Sequence, residues 1–363
     1  MILPTVRTLK FVLIVGQIIG LVGCANLPYY AQAVNGHLEV MHRSRSINTI
    51  IADPGTDQTL RHSLNRVVLL REFASRELKL PDNQSYTSYA DLNRPYVVWN
   101  VFASPELSLT LKKWCFIQAG CVSYRGFFSQ ASAERYAEAL RNEGYDVYVG
   151  GIRAYSTLGW FSDPVLNTFL GYSEMELARL IFHELAHQVV FVPDDSVFNE
   201  SFATAVEREG IRRWFESRGM LSEQAVVTAR QEREAMFTRL VLKHRKQLEA
   251  LFASDLSDPD KRAAKAHIFA ELRKEFAQLK IARPEFSSYD RWFAQPLNNA
   301  LLATVSVYTH WLPAFQVLLT QQNNDMDNFF TVVKEISKLP QDERAAALRA
   351  ATGSDRHWEL VER

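Results

Sequence analysis

His183-Glu184-Leu185-Ala186-His187 sets two imidazoles and a carboxylate in the pattern H-E-x-x-H, inside an apolar, helix-forming run. An α-helix turns once in about 3.6 residues, so side chains four apart project from one face. Two histidines so placed can grip one zinc ion, and Glu184 can take a proton from a metal-bound water. The chemistry indicated is metal-dependent hydrolysis, with a peptide bond as the foremost substrate. The alternative is a histidine pair that only packs or faces solvent, since so short a motif also arises by chance.

The elements around the motif decide whether it can work. Ser173 and Glu176 form a capping box, which predicts a helix start. Leu177, Ile181 and Leu185 then make a buried stripe, and the helix can run to about Val190, ahead of Pro193, with the motif in its middle. A catalytic zinc needs a third protein ligand and an open position. Asp194, Asp195 or Ser196 can cap a second helix bearing Asn199-Glu200-Ser201-Phe202-Ala203, with Phe198, Phe202, Ala205 and Val206 on its apolar side. The linker is short, so the two helices should be neighbours and Glu200 can face the histidines. Alternatively, Glu200 merely favours the positive end of its helix.

His183-Glu184-Leu185-Ala186-His187-Gln188, followed by Asn199-Glu200-x-Phe202-Ala203-x-x-Val206-Glu207, resembles the gluzincin metallopeptidases. The resemblance implies that Glu200 is the third zinc ligand. The chain is also similar to a family of bacterial lipoproteins described as aminopeptidases. That likeness extends to Ala154-Tyr155-Ser156-Thr157-Leu158-Gly159-Trp160-Phe161-x-Asp163-Pro164 and to Tyr308-x-x-x-Leu312-Pro313-Ala314-Phe315, most of the chain beyond its first residues. Two departures stand out. Only 12 residues separate His187 from Glu200, and the G-x-M-E-N segment that helps hold a substrate's free amino group in large zinc aminopeptidases is missing.

The amino end suggests where the protein works. Arg7 and Lys10 precede an apolar run from Phe11 to Leu21, too short for a comfortable membrane span, and Leu21-Val22-Gly23-Cys24 resembles a bacterial lipobox. Residues 1–23 then read as a signal peptide and Cys24 as the lipidated residue. An uncleaved anchor or a plain signal peptide is the alternative. Ala25 after the cysteine, by similarity to sorted lipoproteins, favours the outer membrane facing the periplasm. The two remaining cysteines, Cys115 and Cys121, frame a short segment containing Gly120 and read as a disulfide, with free thiols or a zinc-binding pair as alternatives.

The chain has 363 residues, 41 Lys+Arg and 41 Asp+Glu, and 47% hydrophobic residues. Zero net charge gives no reason to expect a nucleic-acid partner. The expected fold is α+β and predominantly helical: a zincin-like core with a small mixed sheet, and a helical C-terminal region. Residues 24–90 read as an N-terminal helical segment, with one long helix ending at Pro81. Residues 91–219 read as the catalytic core, and 220–363 as a helical region completing the cleft. Within the core, Tyr96 to Phe102 reads as a strand, Ser129 to Asn142 as a helix closed by Gly144, and Tyr145 to Val149 as a strand broken by Gly150-Gly151.

Several further residues are candidates for the site. Tyr155 to Trp160, including Thr157, reads as a short edge strand along which a peptide could lie, or as a plain connector. Asp163 can meet a substrate amino group, or simply serve a turn before Pro164. Phe237, Val241, His244, Leu248 and Leu251, then Phe269, Leu272, Phe276 and Leu279, predict a helical hairpin in which His244 and His267 are not ligands. By resemblance, gluzincins use a later Tyr or His to stabilise the oxyanion. Tyr308 fits first and His310 second, although a buried, backbone-bonded Tyr308 is equally open. Glu207 lies on the same helix face as Glu200, as an outer partner of the metal site. Together these make a zinc-dependent peptide hydrolase, an aminopeptidase by resemblance, with zinc-activated water and Glu184 as base. An envelope endopeptidase, or a lipoprotein that binds a partner around a structural zinc, are the alternatives.

Overall fold

The computed structural model describes residues 27–116, 120–154, 156–157, 159–306 and 310–352. Helices α1 (Leu27–Arg43), α2 (Ile47–Ala52) and α3 (Gln58–Arg76) open the fold. Asp57 caps α3 by accepting from the amides of Thr59 and Leu60, at 2.9 and 3.2 Å. Leu64, Val67, Leu70 and Phe73 form its buried stripe. The long helix stops at Arg76, short of Pro81. Lys79 takes a left-handed conformation (φ 55°) and the Leu80 amide turns back to the Ala74 carbonyl, which drops Leu78 and Leu80 into the core.

Two three-stranded sheets follow. Strand β1 (Arg45–Ser46) pairs antiparallel with β2 (Ser88–Ala90), which pairs parallel with β8 (Val165–Leu166). In the other sheet, β3 (Val98–Pro105) lies between β6 (Arg125–Phe127) and β7 (Tyr145–Ile152), all antiparallel. Helix α4 (Gln130–Asn142), capped by Ser129 and followed by Gly144 at φ +86°, packs Ala133, Ala137 and Leu140 against Trp99, Val101 and Val147. The predicted strand at Tyr96 begins two residues later. Gly150-Gly151 does not break β7, which continues to Ile152. The Tyr96 ring lies across Gly151, where a Cβ would come within 2.5 Å of it, so the glycine serves close aromatic packing inside the strand. Strands β4 (Trp114–Phe116) and β5 (Gly120–Val122) form a hairpin in which Cys115 and Cys121 are directly opposed and disulfide-bonded.

The rest is helical: α5 (Asn167–Leu170), α6 (Glu174–Ala186), α7 (Ser196–Ser217), α8 (Leu221–Ala253), α9 (Asp258–Ala282), α10 (Asp290–Phe293), α11 (Asn299–Ala303), α12 (Leu312–Gln321), α13 (Met326–Ser337) and α14 (Gln341–Ala351). The fold is α+β and predominantly helical. Helices α6 and α7 pack together in the main core. At Gly210 of α7 an added Cβ would meet the Phe182 ring at 2.6 Å, so the missing side chain sets how closely the two helices approach. Phe202 of α7 packs against Phe315, Phe329 and Phe330, which makes α7 buried on nearly every side rather than on one. Helices α8 and α9 form the predicted hairpin around a second core of Phe237, Val241, Leu248, Phe269, Leu272 and Phe276. His244 is fully buried there, and His267 is exposed. Asn298 caps α11 and donates to the Val147 carbonyl, while Asn299 donates to the carbonyls of Glu106 and Ser108, tying the C-terminal helices to the sheet.

Candidate metal centre and catalytic site

Ser173 caps α6 as its sequence predicts, its Oγ accepting from the Glu176 amide at 3.3 Å. Leu177, Ile181 and Leu185 are fully buried and fix the opposite face. The regular helix ends at Ala186, so H-E-x-x-H lies in its last turn and not in mid-helix. What stops it is the anchoring of Gln188. Its Nε2 donates to Ser85 Oγ at 3.2 Å and its Oε1 accepts from Asn83 at 2.7 Å, after which Val190 and Val192 enter the core. His187 keeps helical backbone angles (φ −59°, ψ −22°), so the four-residue spacing still brings the two rings to 4.8 Å between centroids.

The linker to α7 is clamped by a residue the motif reading left without a role. Asn199, 3% exposed, accepts from the Val192 amide and donates to the Val192 carbonyl, both at 2.8 Å. Asp195 caps α7 through the Phe198 amide and also holds the buried Arg344 of α14 at 2.7 Å. These bonds fix the first turn of α7, which carries Glu200. Glu200 Oε2 then lies 3.1 Å from His183 Nε2, and Oε1 3.8 Å from His187 Nε2, while the two Nε2 atoms are 3.2 Å apart. One ligand atom from each residue lies within 4.8 Å of the others.

These separations suit a cation. Donors about 2.0–2.1 Å from a tetrahedral zinc stand roughly 3.3 Å from one another. Three polar donors converging in a buried space, two of them imidazoles, suit zinc better than a hard oxygen-loving ion. Burial alone would lower His183, but Glu200 and Glu207 outweigh it and carry the ring up to about 10. Burial takes His187 down to about 4. Both carboxylates resist the upward pull of burial and stay below the usual range, Glu200 through the two histidines and Glu207 through His183 and Arg179. The proton that His183 Nε2 shares with Glu200 stands where a cation held by both would sit, while Glu207 meets the other ring nitrogen.

Glu207 Oε2 lies 2.9 Å from His183 Nδ1, and its Oε1 accepts from Arg179 Nε at 2.5 Å. Arg179 also reaches Glu234 of α8 at 3.1 Å. Glu184 is half-buried beside the cluster, and burial, opposed by His183 and helped by Glu200 and Asp163, lifts its carboxyl to about 7. That is a useful value for a group that must accept a proton and later return it.

The other predicted residues separate. Asp163 is buried and accepts from the Thr157 amide at 2.9 Å, bracing a turn that Thr157 Oγ1 closes by accepting from the Phe161 amide at 3.1 Å. Among the described residues this segment forms no edge strand. Gly159, at φ +81°, turns the chain, and Trp160 and Phe161 point to solvent. His310 stands 4.5 Å from the Trp311 ring and is not in the metal-ligand cluster, while the Trp311 amide donates to Ser201 Oγ at 3.1 Å. Tyr308, Tyr155, Leu158, Cys24 and residues 1–23 lie outside the described residues. One residue was missed. Tyr124, between β5 and β6, is 39% exposed with its ring tilted 5.7 Å from that of Phe102, and desolvation, then the Glu200 and Glu184 carboxylates, push its phenol up to about 12. No local motif marks it; its chain neighbours are brought to the site by the disulfide hairpin.

Residues 28–348 match a family whose description reads "Putative aminopeptidase". No curated protein and no solved structure matches the chain.

Proposed function

The chain belongs to this aminopeptidase family, and on that premise we propose that it is a zinc-dependent peptide hydrolase of gluzincin type, acting in the bacterial cell envelope. The observation that carries the reading is the convergence of His183, His187 and Glu200, contributed by consecutive helices. These three would hold one zinc. When bound, zinc supplies a Lewis acid for the scissile carbonyl and acidifies water. Glu184 takes a proton from the attacking water and hands it to the departing amine, a shuttle suited to a carboxyl near 7. Glu207 keeps His183 turned so that Nε2, not Nδ1, faces the centre. The oxyanion donor expected at Tyr308 remains a proposal. We propose Tyr124 as a second donor, since the Glu200 and Glu184 charges add to desolvation in raising its phenol.

The disulfide between Cys115 and Cys121 supports an oxidising compartment. Together with the apolar run and lipobox it supports lipid attachment at Cys24 and a body facing the periplasm. The purified chain, offered unblocked and amino-blocked peptide libraries with and without a chelator, tests the reading. Cleavage confined to unblocked peptides and abolished by the chelator is expected. Equal cleavage of blocked peptides makes it an endopeptidase. Tight zinc binding with no cleavage of either library favours the partner-binding lipoprotein with a structural ion.

A further inference from the structure

Helix α1 carries an apolar stripe that the described fold leaves largely open, with only the Tyr30 ring approached by Phe116, at 6.4 Å between centroids. Tyr30, Val34 and Leu38 recur every fourth residue, so they share one face, and they are 39, 56 and 48% exposed. His37, on the same face, meets the Phe161 ring at 4.5 Å between centroids. Phe161 is itself 54% exposed and its neighbour Trp160 is 73% exposed. The turn that presents them is well built. Thr157 accepts from the Phe161 amide through Oγ1, and from the Trp160 amide through its carbonyl, and buried Asp163 holds the Thr157 amide. Two large aromatic residues held outward by a braced turn, next to an exposed apolar helix face, make a continuous patch of the kind that marks an interaction surface.

The occupant follows from chain length. Cys24 precedes Leu27 by three residues, which span at most about 11 Å even when fully extended. A lipid-bearing Cys24 therefore puts the start of α1 at headgroup depth. There, exposed aliphatic residues reach the acyl boundary, and Trp prefers the membrane interface. We propose that Tyr30, Val34, Leu38, Trp160 and Phe161 form a face that seats on the bilayer in which Cys24 is anchored. This rests on the lipoprotein reading given above. The face does more than tether, because the same turn lies against the segment that leaves the H-E-x-x-H helix: a Cβ at Gly159 would lie 3.7 Å from Gln188, the residue after His187. Seating the patch fixes the orientation of the catalytic cleft relative to the membrane.

The test uses the mature chain purified from the envelope, with mass spectrometry reporting whether Cys24 carries acyl chains. It is reconstituted into vesicles of phosphatidylethanolamine and phosphatidylglycerol, with or without bromine on the lipid tails. Comparing tryptophan emission of wild type and Trp160→Phe isolates the Trp160 signal. Bromolipid should quench that signal in wild type, and Val34→Glu with Leu38→Glu should reduce the quenching by about half or more. A lipidated, vesicle-bound chain whose Trp160 emission ignores bromolipid overturns the face and leaves the anchor standing. A change from dimer to monomer in the glutamate variant, without quenching in wild type, gives the patch to a second copy and overturns it too. A chain with no acyl groups that fails to bind vesicles removes the anchor and the face with it.

Discussion

Glu207 Oε2 lies 2.9 Å from His183 Nδ1, so the carboxylate seven residues beyond Glu200 decides which nitrogen of His183 faces the cluster. Partners of this kind typically change metal affinity about 10- to 100-fold when removed. Glu207→Gln keeps an oxygen for the ring and should weaken zinc binding about tenfold. Glu207→Ala should weaken it further, because it also leaves the mostly buried Arg179 with only Glu234. Competition against a chromogenic chelator measures both. Equal affinities for wild type and both variants would remove Glu207 from the site.

Glu184 touches none of the three ligand positions but sits beside them. Glu184→Gln preserves its shape and removes its basicity. Zinc content should stay at one per chain while kcat falls by about 10²–10⁴. Retained turnover with retained zinc would reassign the proton shuttle to another group.

Tyr124 lies in the β5–β6 connection, 39% exposed, its ring 5.7 Å from that of Phe102. If its hydroxyl stabilises charge on the carbonyl oxygen, Tyr124→Phe should lower kcat by about 10²–10³ with KM within about threefold, and leave zinc content unchanged. A tetrahedral phosphinate mimic should lose affinity in parallel. A variant that binds the mimic as wild type does would limit Tyr124 to packing on Phe102.

Asp163 gives a pH test. Burial raises its carboxyl against the bonds from Thr157 and Ser156. A carboxyl raised in the folded protein contributes its full stability below the unfolded value, and that stability is lost as pH rises through the folded value. Asp163→Asn removes the charge and keeps an acceptor for the Thr157 amide. Its thermal midpoint should exceed that of wild type by a few degrees near neutral pH, with the difference vanishing toward about pH 3. Unchanged KM for unblocked peptides is expected, since the side chain is spent on the turn. A tenfold rise, on the order of 1.4 kcal/mol, would instead give Asp163 the substrate's amino group.

Local rules placed Ser173 as a cap, Ser129 at the start of a helix, Asp195 among three possible caps, and the stripe Leu177, Ile181, Leu185, because caps and helical periodicity depend on neighbours in sequence. The approach of Glu200 to the histidine pair was legible too, because a short linker between two helices leaves few arrangements. The end of α6 at Ala186 was not, since it depends on Asn83 and Ser85, about a hundred residues away. Gly151 looked like a strand breaker because Tyr96, which packs on it, is distant along the chain. Tyr124 was invisible for the same reason. Its relation to Glu184 and Glu200 exists only once the sheet and the two metal helices are assembled.

A disulfide hairpin helps to hold that assembly. The Cys121 amide donates to Asp194 Oδ1 at 2.5 Å, and Gly120, at φ +68°, leaves room for that carboxylate where a Cβ would come within 2.7 Å. Asp194 itself is left-handed, at φ 66°, in the linker between His187 and Glu200. The disulfide hairpin is therefore fastened to the segment between His187 and Glu200, the linker of the proposed ligand set. Replacing Cys115 and Cys121 by serine removes a short covalent loop and should cost about 2 kcal/mol of stability. Were the hairpin only an ornament on the sheet, the damage would end there. Because it grips the linker, zinc affinity should fall as well, and Asp194→Ala, with the disulfide intact, should reproduce the affinity loss without the full loss of stability. Thermal melts and zinc competition on both variants separate the two effects. A serine pair that melts earlier yet binds zinc as tightly as wild type would disconnect the hairpin from the metal site.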